Sequence, residues 1–197
     1  MCDIAYMPRE VVTLAESDEA VYRHYLATGS EDDLRVLLER YREGLTLFAN
    51  GTVRDLDEAE EVMLDTLAVV ASGTARFDGR SSFRTWLFSI ARKLAVSRVR
   101  RFRFLLEPLE DRPDESSQPP DFQMLSEDRN RVLYRAFDKL APDYRQVLYL
   151  LFFEDMSVED AARVMRKSTK QVYNLSYRGK QALRDELTRM GITDADV

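Results

Sequence analysis

Apolar positions along this chain recur every three or four residues, which is the period of an amphipathic α-helix. The clearest case predicts a long helix from residue 82 to about residue 104, after a loop at residues 73–81. Its buried face is predicted to be Phe83, Trp86, Leu87, Ile90 and Leu94.

Three shorter helices are predicted before that long one. They cover residues 18–27, residues 30 to about 49, and a stretch from Asp55 or Asp57 to about residue 72. Ser30 with Asp33 is typical of a capping box, in which a hydroxyl and an acid satisfy free N–H groups at a helix start. The pair Asn50-Gly51 is predicted to end the second helix.

In the second half, helices are predicted at about residues 124–139, 142–153, 157–165 and 169–188. Ser157 with Asp160, and Ser168 with Gln171, are two capping boxes that bracket a short turn. This spacing favours a helix-turn-helix. The inward stripe of its second helix is predicted to be Val172, Leu175, Gly179 and Ala182, and its outward face Lys170, Tyr173, Asn174, Tyr177 and Gln181.

Residues 107–121 contain four of the six prolines, and six acids against one base. Proline removes hydrogen-bond donors and neighbouring acids repel one another, so this stretch is predicted to be a flexible linker. The predicted fold is therefore all-α, with two small helical domains. Residues 1–106 form the first and residues 122–197 form the second, which contains the helix-turn-helix.

Composition narrows the possible functions. The chain has one cysteine and one histidine, so we expect no disulfide, no metal site and no cofactor. No apolar run is long enough to cross a bilayer and no signal pattern opens the chain, which favours a soluble protein of a reducing cytoplasm. No nucleophile–base pairing or phosphate-binding loop occurs, so we expect no catalytic residue and no enzyme.

Basic charge is concentrated in two segments although the net charge is −6. Residues 79–103 carry eight cations and no acid, interleaved with aromatic residues that could stack on unpaired bases. Residues 161–184 form a second acid-free basic segment, on the predicted helix-turn-helix. Such segments are the electrostatic footprint of nucleic-acid binding, although either could be an ordinary solvated face.

An acidic cluster precedes the first basic segment, with no base from residue 55 to residue 75. By itself it is typical of a solvated helix face, because acids are favourable near a helix N-terminus.

The run FDGRSSFRTWLFSIARKLAVSRVRR resembles the second conserved region of bacterial sigma factors, most closely the small extracytoplasmic-function group. Lys93 stands where Asn is usual and Ser97 where Asp is usual. Residues 140–187 resemble the fourth conserved region, with departures at Leu175 and Gly179. The resemblance covers about residues 18–188 in the expected order.

This resemblance implies a sigma factor that binds core RNA polymerase and directs promoter recognition and transcription initiation. The acidic helix would face the polymerase through Asp57, Glu58, Glu60, Glu61 and Asp65. The downstream promoter element, as single-stranded DNA, would be held by Phe77, Gly79, Arg80, Ser81, Ser82, Arg84, Lys93, Arg98, Arg100 and Arg101. The upstream element, as duplex, would be read by Lys167, Thr169, Lys170, Gln171, Tyr173, Asn174, Tyr177, Arg178 and Lys180.

An anti-sigma factor that folds the two domains against each other is a further expected partner, and no membrane insertion is expected. Two other functions remain open from the residues alone. One is a conventional helix-turn-helix regulator acting without polymerase, for which the first basic-aromatic segment would be surplus. The other is a protein-binding helical adaptor, against which both basic segments argue.

Overall fold

The computed structural model describes residues 17–106, 133 and 135–192, and these are built from helices and turns with no strand among them. Seven helices can be bounded there: α1 (Asp18–Thr28), α2 (Glu31–Val53), α3 (Leu56–Ala71), α4 (Phe83–Leu106), α5 (Pro142–Phe152), α6 (Val158–Met165) and α7 (Thr169–Arg189). The all-α prediction is confirmed. The predicted linker at residues 107–121, and most of the helix predicted at 124–139, lie outside the described residues.

The chain divides into two compact units, Met1–Tyr41 and Arg42–Val197. In the first unit, Ser17 caps α1 by accepting from the N–H of Ala20, and Gly29 ends it in the left-handed conformation that glycine adopts without strain. Asp33 does not complete the predicted capping box: its Oδ2 contacts Nδ1 of His24 at 2.7 Å, and the N–H of Ser30 donates to the hydroxyl of Thr28 at 3.2 Å instead. Arg40 also binds Asp18 at 2.7 Å, so polar contacts tie α1 to α2.

The second unit begins within α2, which runs through Asn50 and Gly51 to Val53. The prediction that these two residues end the helix is therefore wrong. Gly51 has a packing role instead: a Cβ there would lie 3.4 Å from Cδ of Arg145. The chain turns only at Arg54, whose φ of 60° is left-handed.

Helix α4 is buried on more than the one predicted side, because both α3 and α6 pack against it. The predicted residues Phe83 and Leu87 are fully buried, whereas Trp86, Ile90 and Leu94 are half-buried. Three further residues are also fully buried: Phe88, Ala91 and Ala95. The small side chains of Ala59 and Ala95 allow α3 and α4 to approach closely.

The three C-terminal helices form the predicted helix-turn-helix and a supporting helix. Pro142 begins α5, where its missing N–H is not needed. Ser157 caps α6, and Arg166 ends α6 in the left-handed conformation with a φ of 52°. Ser168 and Gln171 form the predicted capping box at the start of α7. Gly179 lets α7 pack on α5, since its Cβ would lie 3.3 Å from Leu148 and Tyr144.

Candidate nucleic-acid and polymerase interface

The outward face of α7 presents polar and aromatic side chains to solvent. Tyr173 is 61% exposed and Tyr177 is 66% exposed, while Val172 and Gly179 on the opposite side are buried. The five residues predicted to point outward are all exposed: Lys170, Tyr173, Asn174, Tyr177 and Gln181. An exposed helix face of amides, phenols and a cation has the donors and acceptors that can read base edges in a major groove.

Contacts within this region orient several of the predicted upstream-element residues. Gln181 donates to the hydroxyl of Tyr177 at 3.0 Å. Lys180 lies over the ring of Phe152, 4.5 Å from its centroid, in a cation–π contact. Lys167 forms an ion pair with Asp143 at 3.0 Å. Lys180 and Lys167 are therefore engaged with α5. Arg178, Thr169 and Gln171 are exposed around the start and middle of α7.

The loop before α4 carries the start of the predicted downstream-element site. Gly79 and Arg80 are exposed, and Gly79 has a φ of 73°. Phe77 is half-buried because its ring packs against Phe83 at 5.8 Å and Trp86 at 5.4 Å. Ser82 has a structural role, since its hydroxyl accepts from the N–H of Thr85 at 3.2 Å and caps α4. Ser81 is half-buried.

The cations predicted on α4 fall into two groups. Lys93, Arg100 and Arg101 are exposed and reach solvent from the outer side of the helix. Arg84 donates from Nη1 to the carbonyl oxygen of Glu154 at 2.8 Å. Arg98 is held by carboxylates on α3, as described next. Lys93, Arg100 and Arg101 are therefore open to solvent on the same helix, whereas Arg84 and Arg98 are engaged by oxygen atoms of the protein.

Three of the five acids predicted to face the polymerase bind a single guanidinium. Arg98 contacts Glu61 at 2.7 Å, Asp65 at 3.3 Å and also Glu58. The hydrogen bond with Glu61 raises the pKa of Arg98 above its already high ordinary value. Asp57 and Glu60 are exposed on the same helix, and Leu64 beside them is 57% exposed.

Sequence reasoning missed a group of buried polar residues between α2, α4 and α5. Burial, reinforced by the nearby charge of Arg54 and opposed by Asp138, lowers the pKa of Arg145 to about 10. Burial also lowers the pKa of Arg92, with Asp143 opposing and Arg166 reinforcing the shift. Burial raises the pKa of Glu154. No periodicity identifies these residues, because their burial depends on contacts between distant parts of the chain.

Two regions of one protein family match this chain, one in each half. Residues 37–104 match Sigma-70 region 2, which includes α3 and α4, and residues 130–183 match Sigma-70, region 4, which includes the helix-turn-helix. The chain belongs to the sigma-70 family of RNA polymerase sigma factors. Within that family it is a sigma factor of the extracytoplasmic-function type, which binds core RNA polymerase and directs promoter recognition and transcription initiation.

The chain is similar to sigma factors from several bacteria. The chain is 28% identical over 176 residues to the ECF RNA polymerase sigma factor SigX of Bacillus subtilis, covering 85% of this chain and 91% of that protein. It is 28% identical to the ECF RNA polymerase sigma factor BldN of Streptomyces coelicolor over 79% of this chain and 60% of that protein. Its fold matches the sigma factor RpoE of Bartonella quintana, solved with the anti-sigma factor NepR, with a TM-score of 0.61 and 23% identity over 79% of this chain and 97% of that one.

None of the described helices is both long and apolar enough to cross a membrane. Within the same residues, no group of His, Cys, Asp and Glu side chains has the arrangement needed to hold a metal ion.

Proposed function

We propose that three surfaces of this sigma factor have separate binding roles in transcription initiation. The outward face of α7 reads the upstream promoter element as duplex. The loop at residues 77–82 and the basic side of α4 hold the downstream element as single strand. The exposed acids of α3 face core polymerase. We take residues 1–106 and 122–197 as the two functional domains, joined by a linker at 107–121.

The observation that carries this proposal is the outward face of α7. A helix that is buried through Val172 and Gly179 must present its opposite side to solvent, and that side carries Lys170, Tyr173 and Asn174. Amide groups can pair with adenine edges, and tyrosine can contact a thymine methyl or a phosphate. The capping box at Ser168 fixes where this helix starts, and therefore which side chains enter the groove.

The surface proposed to bind the downstream promoter element consists of basic side chains on α4 and the loop before it, rather than an extended aromatic platform. Lys93, Arg100 and Arg101 can follow a phosphate backbone, and the exposed Gly79 allows close approach of a nucleotide. Holding an extruded base in such a loop would offset the cost of unstacking it, which amounts to a few kcal/mol. The chain would thus help to open the promoter by binding energy, and it contributes no catalytic residue of its own.

The proposal includes where this sigma factor acts and what regulates it. A protein that acts with RNA polymerase works in the cytoplasm. An anti-sigma factor would regulate it by competing with the polymerase. This is supported by the fold shared with RpoE, which was solved bound to an anti-sigma factor.

Transcription from a randomised promoter library tests the assignment of surfaces. With core polymerase, the wild-type chain should enrich two separated elements among the transcribed templates. Alanine at Lys170, Tyr173, Asn174 and Tyr177 together should remove the upstream element and retain the downstream one. Alanine at Asp185, which is exposed on the same helix, is the matched control. An unchanged upstream element in the fourfold variant would show that α7 does not read it.

A further inference from the structure

A hydrogen bond within α7 joins two residues of its outward face. Nε2 of Gln181 donates to the hydroxyl oxygen of Tyr177 at 3.0 Å. Residues four apart are neighbours on one side of a helix, so the two side chains meet over the surface that is proposed to face DNA. Both side chains are exposed, so the bond adds little to the stability of the fold. Its effect is to restrict where the hydroxyl of Tyr177 lies.

The direction of this bond determines what Tyr177 can recognise. A tyrosine hydroxyl has one proton to donate and lone pairs that accept. Because the amide of Gln181 is the donor, it occupies a lone pair and leaves the hydroxyl proton for another acceptor. Within the described part of the chain, no acceptor is bonded to that proton. Tyr177 therefore presents a hydrogen-bond donor to whatever lies against α7.

Tyr173, one turn earlier on the same face, differs in this respect. It is also exposed, and among the described residues its hydroxyl has no hydrogen-bond partner. Of these two tyrosines, Tyr177 is the one whose hydroxyl is held before a ligand arrives. Ordering a side chain in advance lowers the entropy cost of binding, so the Gln181 bond favours contact through Tyr177.

The place of Tyr177 along α7 indicates which acceptor it meets. A recognition helix enters the major groove with its N-terminal residues, which contact base edges. Lys170, Tyr173 and Asn174 lie within the first two turns of α7, whereas Tyr177 lies in the third. Arg178 beside it is an exposed cation. A donor next to a cation, beyond the residues that enter the groove, suits the charged oxygen of a phosphate better than a base edge.

We propose that Tyr177 donates a hydrogen bond to a phosphate of the upstream promoter element, and that Gln181 is the positioning residue that holds the Tyr177 hydroxyl for this bond. This inference rests on the proposed function, which places the outward face of α7 on duplex DNA. A phosphate contact fixes the position of a helix on DNA and carries no base information. The pair should therefore set the affinity for the upstream element and leave its base preference unchanged.

A double-mutant cycle tests the role of Gln181. Holoenzyme is formed with core polymerase, and fluorescence anisotropy gives its Kd for a duplex promoter recovered from the library selection described above. Tyr177→Phe should weaken binding about tenfold, because hydrogen bonds to charged acceptors are strong. Gln181→Met, which keeps a long side chain but cannot donate, should weaken it about threefold. In the Tyr177→Phe background, Gln181→Met should have no effect.

Tyr173→Phe is the matched control, because it removes the other exposed tyrosine hydroxyl of this face. Gln181→Met should still weaken binding about threefold in that background. The positioning role would be overturned by an equal effect of Gln181→Met with and without the Tyr177 hydroxyl. It would also be overturned if Gln181→Met had no effect in the wild-type chain.

Duplexes with a single neutral methylphosphonate linkage identify the acceptor. Each phosphate along the upstream element is neutralised in turn, and the wild-type chain is compared with Tyr177→Phe. At one linkage the two should bind equally, because the bond that Tyr177→Phe removes is already lost there. A difference that persists at every linkage, or a changed base preference of Tyr177→Phe in the promoter library, would overturn the phosphate contact.

Failure of this inference and failure of the proposed function give different results. If α7 does not read the upstream element, the fourfold alanine variant retains that element and Tyr177→Phe binds the promoter as tightly as the wild-type chain. If the role of Gln181 alone is wrong, Tyr177→Phe still weakens binding, whereas the effect of Gln181→Met does not depend on Tyr177.

Discussion

Arg98 on α4 donates a hydrogen bond to Glu61 on α3 across 2.7 Å, and the same guanidinium contacts Glu58 and Asp65. The sequence predicted that Arg98 binds single-stranded DNA. In the structure, Arg98 instead binds three acids of the surface proposed to face the polymerase. Arg98 is therefore a positioning residue that fixes the acidic face of α3 relative to the basic helix.

Replacing Arg98 by alanine should lower the free energy of unfolding by about 1 kcal/mol or less, because its partners are largely solvent-exposed. It should also weaken core polymerase binding, since the acids of α3 lose their common anchor. Single-stranded DNA binding should change little. Arg101→Ala, which removes an exposed cation from the same helix, should show the reverse pattern. Chemical denaturation and fluorescence anisotropy measure both effects, and strong loss of DNA binding in Arg98→Ala alone would contradict this role.

The exposed acids of α3 can be tested without disturbing that anchor. Lysine at both Asp57 and Glu60 should weaken binding to core polymerase about tenfold at low salt, mainly through slower association. The unfolding midpoint should stay unchanged. Glu39→Lys, an exposed charge reversal on α2, is the control in a surface plasmon resonance measurement. Equal affinity of wild type and double variant would exclude this face from the polymerase contact.

Two neighbouring residues of α7 should behave differently in promoter selection. Asn174→Ala should cost about 1–3 kcal/mol at one upstream position and relax the preference there. Arg178→Ala should weaken binding more evenly across sequences, because a phosphate contact carries no base information. Deep sequencing of selected promoters separates the two results. Identical selection by wild type and Asn174→Ala would rule out base reading by that amide.

The stability of the fold should depend on pH through Glu154, whose pKa is raised by burial, with Arg84 and Tyr149 opposing and Asp155 reinforcing the shift. A carboxyl with a raised pKa in the folded state binds protons more tightly there than in the unfolded state. Its contribution to the free energy of unfolding is therefore fully present below the ordinary glutamate pKa, about 4.3, and is lost as pH rises through the raised value.

Chemical denaturation across that pH range should show this contribution to the free energy of unfolding falling as pH increases, and Glu154→Gln should flatten that part of the profile because its amide does not titrate. Asp155→Asn controls for the neighbouring carboxylate. A wild-type profile that matches that of Glu154→Gln would exclude Glu154 as the titrating group.

Local signals in the sequence were sufficient for most helix starts. Ser157, Ser168 and Pro142 act within one turn of their own position, so the residues around them predict α6, α7 and α5 correctly. The outward face of α7 follows from the same logic, because a start point and a period of 3.6 residues define which side chains share a face.

Local sequence patterns could not predict contacts between residues that are far apart in the chain. The low helix propensity of Gly51 predicts a helix end, yet α2 continues through it. The missing side chain at Gly51 leaves room for Arg145 on α5. Phe88 and Ala95 lie outside the apolar stripe expected for α4. They are buried because Phe88 packs on Phe48 of α2 and Ala95 packs in a cluster with Ala59 of α3. Arg98 matched a basic pattern that could not reveal the carboxylates facing it.

The left-handed conformation of Arg166 at the end of α6 marks a position where the thermal stability of this protein can be raised. Glycine adopts a positive φ without steric cost, so Arg166→Gly should relieve about 1 kcal/mol of backbone strain. It would also remove a cation that disfavours the charge on Arg92. Both effects favour the folded state, and neither alters the outward face of α7, so heat tolerance and promoter preference can be changed independently.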